Sequence, residues 1–422
     1  MHQDVNLQSD MLSTLGNVYD RIGDFNRAEQ ILSRVVSQTA LDNGDRSQEH
    51  VESLIALDLL RKDQGRMQDA EDELRLALRF SDQGAILSTV TRERAVWALG
   101  TVLSLQGDYG RSKELLSSAV AIARRERRTQ KSQFVLDLEG LADDEFYHGN
   151  YKNAEPLYQQ ALSLDLGING DRHPSVSQIY NGLGNIKFNR NDLTGAISDL
   201  GKSLSIDEAW YGPAHPEVAA DLSALSQPLI SLRRYDEARE DLERALAILK
   251  QAYGENHSQV ASAYNSLGLL AYRRNQEELA KRYFEHALAI WTVVYGNNHP
   301  FIGLTYANLA SVAMDRRQYQ VAATLLRKAL QVYSISAPSE GYNAAVAHIR
   351  LGRVLLRTAH YEDALPETLE GLHFFGSLGG ANNQYREGAE GDLKLILAHL
   401  GDSALAQQAR QEMAQSPLAP TQ

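Results

Sequence analysis

The chain has 422 residues, 43 % of them hydrophobic and 7 % aromatic, which is enough apolar material for a packed core and too much for wholesale disorder. Its formal net charge of −12 argues against a nucleic-acid or anionic-membrane surface, which needs local positive charge. There is no cysteine, so disulfides, thiol nucleophiles and thiolate metal sites are excluded.

From the first residues onward one interval governs the pattern. Leu15, Leu57, Leu99, Leu141, Leu183, Leu225, Leu267, Leu309, Leu351 and Leu393 stand 42 residues apart. Thirteen residues after each comes a small side chain: Ala28, Ala70, Ser112, Ala154, Ala196, Ala238, Ala280, Ala322, Ala364 and Ala406. A fixed period of this length predicts a stacked array and not a globular enzyme, and it overrides the two or three domains that length alone suggests. Repeats are expected to start near residues 9, 51, 93, 135, 177, 219, 261, 303, 345 and 387. They would form one continuous solenoid over 1–415, with a frayed tail over 416–422.

Each repeat reads as a helical hairpin. In the fifth, Leu183, Gly184 and Ile186 share one stripe, and Asn189-Arg190-Asn191-Asp192 is a polar turn. Ala196, Leu200 and Leu204 then recur at i, i+4 and i+8. Two helices approach closely only where one side chain is short, which explains the small residue. Gly16, Gly100, Gly184, Gly268 and Gly352 meet the same need on the first helix, against a propensity cost of about 1 kcal/mol. Gly23, Gly107 and Gly149 sit where a left-handed C-cap is wanted, and Asn191, Arg233, Asn275 and Arg317 take that place later. Arg124, Arg125, Arg127, Arg128 and Lys131 form a basic cluster where two repeats join, either a solvated loop or an anion or partner contact. The stretch from Glu126 to Val135 is the least regular join and an expected bend. Pro228 lies inside a first helix, where the lost N–H and ring clash cost about 3 kcal/mol and predict a kink.

A second signature links the hairpins. It reads Gly170-Asp171-Arg172-His173-Pro174, Tyr211-Gly212-Pro213-Ala214-His215-Pro216, Tyr253-Gly254-Glu255-Asn256-His257-Ser258 and Tyr295-Gly296-Asn297-Asn298-His299-Pro300. Glycine ends one helix and proline starts the next. These residues, with the leucine and alanine register, resemble the tetratricopeptide repeat in its 42-residue form, as in kinesin light chain and many bacterial proteins. The resemblance spans essentially the whole chain, although the first four repeats lack the linker. It implies an all-α, right-handed superhelical solenoid of about ten antiparallel hairpins, whose concave surface, lined by the first helices, binds a peptide.

The residues give no catalytic constellation and no metal site. His173, His215, His257 and His299 occur once per repeat, roughly 20 Å apart at helix diameters of about 10 Å, so they cannot share a metal. They read as side chains hydrogen-bonding beside a helix start. There is no Gly-x-Ser-x-Gly elbow, phosphate loop or His-Glu-x-x-His. Acidic pairs such as Asp143-Asp144 and Glu277-Glu278 are expected on solvated helix surfaces, with nothing to raise a carboxyl pKa. Neither enzymatic activity nor a cofactor is expected.

The resemblance points instead to the row two residues before and two after each conserved-register leucine. Candidate groove residues are Asn181, Asn185, Gln227, Asn265, Ser311 and Arg353, with Asn308 beside the row. An asparagine ladder, which has donors and acceptors, can hold an extended peptide backbone without demanding one sequence. In kinesin light chain such a ladder does so, and the carry-over covers Asn181, Asn185, Asn265 and Asn308. The early repeats depart from the family, with Ile55, Leu59, Trp97, Leu136 and Phe146 read as inner positions, and Trp97 and Phe146 are candidate apolar anchors. Arg233, Arg273, Arg316 and Arg357 follow first-helix C-termini. The helix dipole accounts for cations there, and a basic rim for an acidic peptide is the other reading.

The leading function is therefore a protein-interaction scaffold with a protein or peptide ligand. The alternative is a regulatory segment of a bacterial signalling protein such as a serine/threonine kinase, because Leu7 to Tyr19 looks like the stretch that opens such arrays. Self-association through an uncapped first repeat is a third expectation. No run is apolar enough to span a bilayer and Met1 to Asp10 is no signal peptide, so a cytoplasmic location is expected unless the chain belongs to a longer, membrane-anchored protein.

Overall fold

The computed structural model describes residues 2–21, 24–64, 66–82, 87–106, 108–126, 131–336, 341–377 and 384–415. Gly23, Gly107, Arg127, Arg128 and the expected tail lie outside the described residues. The described residues form helices and no strand. In chain order they are α1 (His2–Arg21), α2 (Phe25–Asn43), α3 (Gln48–Asp63), α4 (Met67–Asp82), α5 (Thr89–Leu105), α6 (Tyr109–Glu126), α7 (Lys131–Tyr147), α8 (Tyr151–Asn169), α9 (Pro174–Asn189) and α10 (Leu193–Tyr211). They continue as α11 (Pro216–Ser231), α12 (Tyr235–Tyr253), α13 (Ser258–Arg273), α14 (Glu277–Tyr295), α15 (Pro300–Asp315), α16 (Tyr319–Ser336), α17 (Tyr342–Arg357), α18 (Tyr361–Ser377), α19 (Gln384–Leu400) and α20 (Ala404–Gln415). They divide into two compact units, Met1–Leu270 and Ala271–Gln422.

In unit 1 the hairpins are α1–α2, α3–α4, α5–α6, α7–α8, α9–α10 and α11–α12. The first helices of successive hairpins also touch: α1 with α3, α3 with α5, α5 with α7, α7 with α9, and α9 with α11. Successive second helices make no comparable contact among the described residues. The first helices are thus the crowded, inner row of unit 1. Unit 2 holds the α15–α16 and α17–α18 hairpins, and α17 touches both α15 and α19.

The register residues do what their spacing predicts. The nine alanines and Ser112 are completely buried. A Cβ added at Gly184 would stand 2.6 Å from Leu200 Cγ, and one at Gly16 would stand 2.6 Å from Leu32 Cγ. Both leucines are themselves buried and have no free space to move into. Glycine is required here by helix–helix approach, which outweighs its poor helix propensity.

The hairpin turns share one backbone device. Asn191, Arg233, Asn275, Arg317 and Ala359 all have left-handed φ, between 55° and 64°, and Gly149 has φ 80°. At the first of these, Asn191 N–H donates to Phe188 O and Asp192 N–H donates to Lys187 O, both at 2.9 Å. The same pair of bonds recurs at Arg233–Arg234, Asn275–Gln276 and Arg317–Gln318. Each satisfies two carbonyls left open at a helix end, which offsets the roughly 1–2 kcal/mol that a side chain costs in this conformation. α11 runs through Pro228 without a break and ends at Ser231, so the proline falls in its last turn.

The linker histidines are N-caps. Nδ1 of His173, His215, His257 and His299 each accepts the backbone N–H two residues on, at 3.2 Å. Three of the rings stack on the tyrosine four residues earlier: Tyr211 on His215 at 4.2 Å, Tyr253 on His257 at 4.1 Å and Tyr295 on His299 at 3.9 Å. Gly170, Gly212, Gly254 and Gly296 supply the positive φ that lets each chain turn toward its histidine.

Capping by Nδ1 requires a neutral ring, and burial pushes the pKa of His299 down to about 4, from 6.5 in the free side chain. The folded chain thus binds this proton less readily than the unfolded chain. Its stabilising contribution is complete above pH 6.5 and is lost as pH falls from there toward 4. We expect His299→Asn, which can cap but not titrate, to differ from the parent by a stability gap that changes by on the order of 2 kcal/mol across that window. Urea unfolding at stepped pH reads this; parallel curves would contradict it.

Candidate functional site

The candidate groove residues occupy the first helices, and the two units hold separate sets of them. In unit 1, Asn181 and Asn185 lie one turn apart on α9 and are half-buried. Asn185 Nδ2 donates to Asn181 Oδ1 at 2.8 Å, and Asn181 Nδ2 donates to Asp221 Oδ1 on α11 at 3.1 Å. The direction of this chain is fixed by its root. A carboxylate only accepts, so Asn181 must present its amino group to Asp221 and its oxygen to Asn185. Asn185 Oδ1 is left as an acceptor at the free end. Gln227 is half-buried on α11, and Asn265 is buried on α13.

In unit 2, Ser311 returns its hydroxyl to its own helix at Ala307 O, 3.1 Å away. Asn308 is half-buried beside it. Arg353 is paired, with Nε donating to Asp392 Oδ2 at 2.7 Å. Of the arginines after the first helices, Arg233 in unit 1 is exposed and holds the left-handed turn. Arg273 and Arg357 of unit 2 are exposed in the last turns of their helices. Arg316 is engaged with Glu278 at 2.9 Å and Glu277 at 3.8 Å.

The early inner row has more contacts than a bare apolar groove. Trp97 on α5 packs over Gly140 on α7 and joins the cores on both sides of it. Phe146 is half-buried against Tyr147 and Tyr151, at ring separations of 5.5 and 5.6 Å. The positions two before and two after Leu141 are Glu139 and Asp143. Leu136 is exposed on the same helix, five residues before Leu141, and Phe146 lies five residues after it.

The acids correct one expectation. Asp144 is buried and accepts Ser112 Oγ at 2.6 Å. Burial pushes the Glu139 carboxyl up to about 8, helped by repulsion from Asp143 and Asp165. Asp143 is open to solvent on one side, yet it lies in the inner row where surrounding protein displaces water, and this desolvation lifts it to about 6 against the hydrogen bond from Tyr158. Asp58 on α3 is fully buried and lifted to about 8, again chiefly by burial. Sequence reading missed these because the groups that act on them stand on another helix, as Asp165 does for Glu139, Glu73 for Asp58 and Ser112 for Asp144. The only available signal was the place of Glu139 and Asp143 in the groove register. Glu277 and Glu278 do lie at the surface, where they meet Arg316.

On α1, Met11, Leu15 and Val18 share one exposed apolar face. No helix among the described residues is long and apolar enough to cross a membrane.

A stack of helical hairpins with a polar inner row defines a repeat protein of the binding class. Models described as tetratricopeptide repeat match residues 12–47, 140–213, 229–292, 277–334 and 308–372, together more than half of the chain. The chain belongs to the tetratricopeptide repeat family. Among solved structures it is similar to a Rap protein complexed with Competence and Sporulation Factor, at 12 % identity over 87 % of this chain and 99 % of that one, with a TM-score of 0.52. It is also similar to BtubC (BKLC) from P. vanneervenii, at 24 % identity over 54 % of this chain and 91 % of that one, with a TM-score of 0.45. A third is the putative kinesin light chain repeat protein of Podosopora anserina, at 20 % identity over 47 % and 95 %, with a TM-score of 0.38. No curated protein matches the chain in sequence.

Proposed function

We propose that the chain is a non-catalytic interaction scaffold whose first-helix row in unit 1 takes an extended peptide. The observation that carries this reading is the directed chain from Asn185 through Asn181 to Asp221, which leaves the Asn185 side-chain oxygen as an acceptor on a first helix. Such an acceptor suits a backbone N–H, a group every peptide offers along its length. Asn265 continues the polar register on α13. Side chains on Gln227 and Ser223 flank the same row, although Ser223 is returned to Ala219 O at 2.8 Å.

The test is capture of partners on the parent chain and on the Asn181→Ala, Asn185→Ala, Asn265→Ala triple variant, matched for helicity. Ligands held by the ladder are expected to lose at least about fivefold in affinity, since two or three hydrogen bonds at about 0.5–1.5 kcal/mol each are removed. Equal retention of every partner on the variant would remove the ladder from the function.

A further inference from the structure

The root of the ladder is unusual. Asp221 on α11 and Asp207 on α10 are 3 % and 5 % exposed, and one oxygen of each, Asp221 Oδ2 and Asp207 Oδ1, has no donor among the protein groups. The two carboxyls are within hydrogen-bond reach of each other. Two buried acceptors facing one another are mutually satisfied only by a proton between them.

One period earlier the corresponding acid has donors of its own. Asp165 stands one period before Asp207 on α8 and is equally buried. It receives Asn169 Nδ2 at 2.7 Å and the hydroxyl of Ser175, so it has two donors. At the corresponding places beside Asp207 stand Tyr211 and Glu217. One donor is replaced by an aromatic ring and the other by a second acid. A different acid contact stands at Asp137, two periods before Asp221, where the fully buried carboxyl meets Glu93 of α5, at the place that Ser177 holds beside Asp221.

We propose that the Asp207–Asp221 pair is a proton-holding joint that positions Asn181: one proton between the carboxyls anchors the asparagine ladder, and its loss releases it. The remaining contacts agree. Ser203 Oγ donates to Asp221 Oδ1 at 2.7 Å and lies 2.8 Å from Ser177 Oγ. α9 therefore presents Ser177 and Asn181 to the pair, both uncharged. α11 presents Glu217, which repels a charge on Asp207, and His215 at its start is spent on capping, with Nδ1 accepting the Glu217 N–H. From α12, Arg244 is spent on Glu208 at 2.7 Å and on Pro213 O at 2.9 Å. Among the described residues no lysine or arginine is committed to the pair itself, and burial holds both carboxyls above the usual carboxylate range. With the proton gone, two adjacent charges must separate, and Asp221 can do so only by moving away from the bonds it accepts from Ser203 and Asn181.

The consequence for ligand binding rests on the groove reading, but the device is testable without a ligand. The side-chain amides of Asn181 and Asn185 are followed by NMR in the full chain labelled with 15N-asparagine, over a pH range of roughly 5 to 9. Resonances are assigned from the Asn181→Ala and Asn185→Ala spectra. Both amides are expected to move together with one midpoint. Asp207→Asn, whose amide donates permanently to Asp221, should abolish the step. Tyr211→Asn with Glu217→Ser gives Asp207 the donors of Asp165 and should lower the midpoint by at least about one pH unit, a tenfold change in the proton equilibrium. If Asp207→Asn does not fold, the double variant still decides the question. Immobile amides in the parent, a step that survives Asp207→Asn, or an unmoved midpoint in the double variant would each overturn the proposal. Failure of peptide capture with this titration intact would overturn the groove reading alone.

Discussion

Trp97→Ala is expected to destabilise the chain by roughly 3 kcal/mol, the range for removing a packed aromatic ring, with the lower end favoured because the ring is half-buried. The indole is shared by the packed residues before and after it, so its removal opens a space between two hairpins and not a dent in a surface. Gly140 makes this arrangement specific. A Cβ there would collide with the indole nitrogen and stand 3.1 Å from Cδ1. Gly140→Ala should therefore destabilise as well, by about 1–3 kcal/mol, although alanine is the better helix former. Urea unfolding of both variants measures this. A loss below about 1 kcal/mol for Trp97→Ala would mean that the ring does not hold the hairpins together, and would return it to the role of a ligand anchor.

Glu139→Gln should change how stability depends on pH. The folded-state pKa of Glu139 is raised to about 8, from 4.5 in the free side chain, first by burial and then by Asp143 and Asp165. A raised acid contributes stability that is complete below the unfolded value, near pH 4.5, and is lost as pH rises through 8. The glutamine variant does not titrate. It should match the parent near pH 4 to within a constant offset, and gain relative to it by on the order of 2–3 kcal/mol by pH 8, after allowing for solvent at a partly exposed site. A gap that stays constant from pH 4 to 8 would show that Glu139 ionises like a surface carboxylate. This pH window runs opposite to that of His299, which loses its contribution on acidification, so the two variants separate the two limbs of one stability curve.

Both effects arise from contacts between helices, and this marks what the sequence could and could not disclose. The turn at Asn191 was legible, since a polar residue stood where earlier repeats had glycine, and its left-handed φ follows from local chain geometry. The linker histidines were legible as helix-start residues, because glycine before and proline after leave the ring little else to cap. Asp144 was misread as solvated because its donor, Ser112, lies 32 residues away. Within the candidate groove, the register of Asn181 and Asn185 was visible, but Asp221 as the root of their ladder was not, since the bond to it crosses 40 residues.

The sequence by itself determined the all-helical hairpins, their period and the places of closest approach. Those depend on side-chain size and backbone conformation within one repeat, and the period carries them along the chain. The tertiary structure alone decided which acids lost their water, which way the asparagine ladder points and why Trp97 needs a glycine opposite. Desolvation and hydrogen-bond direction are properties of what a packed neighbouring helix brings, and a side chain's own position in its helix does not contain them.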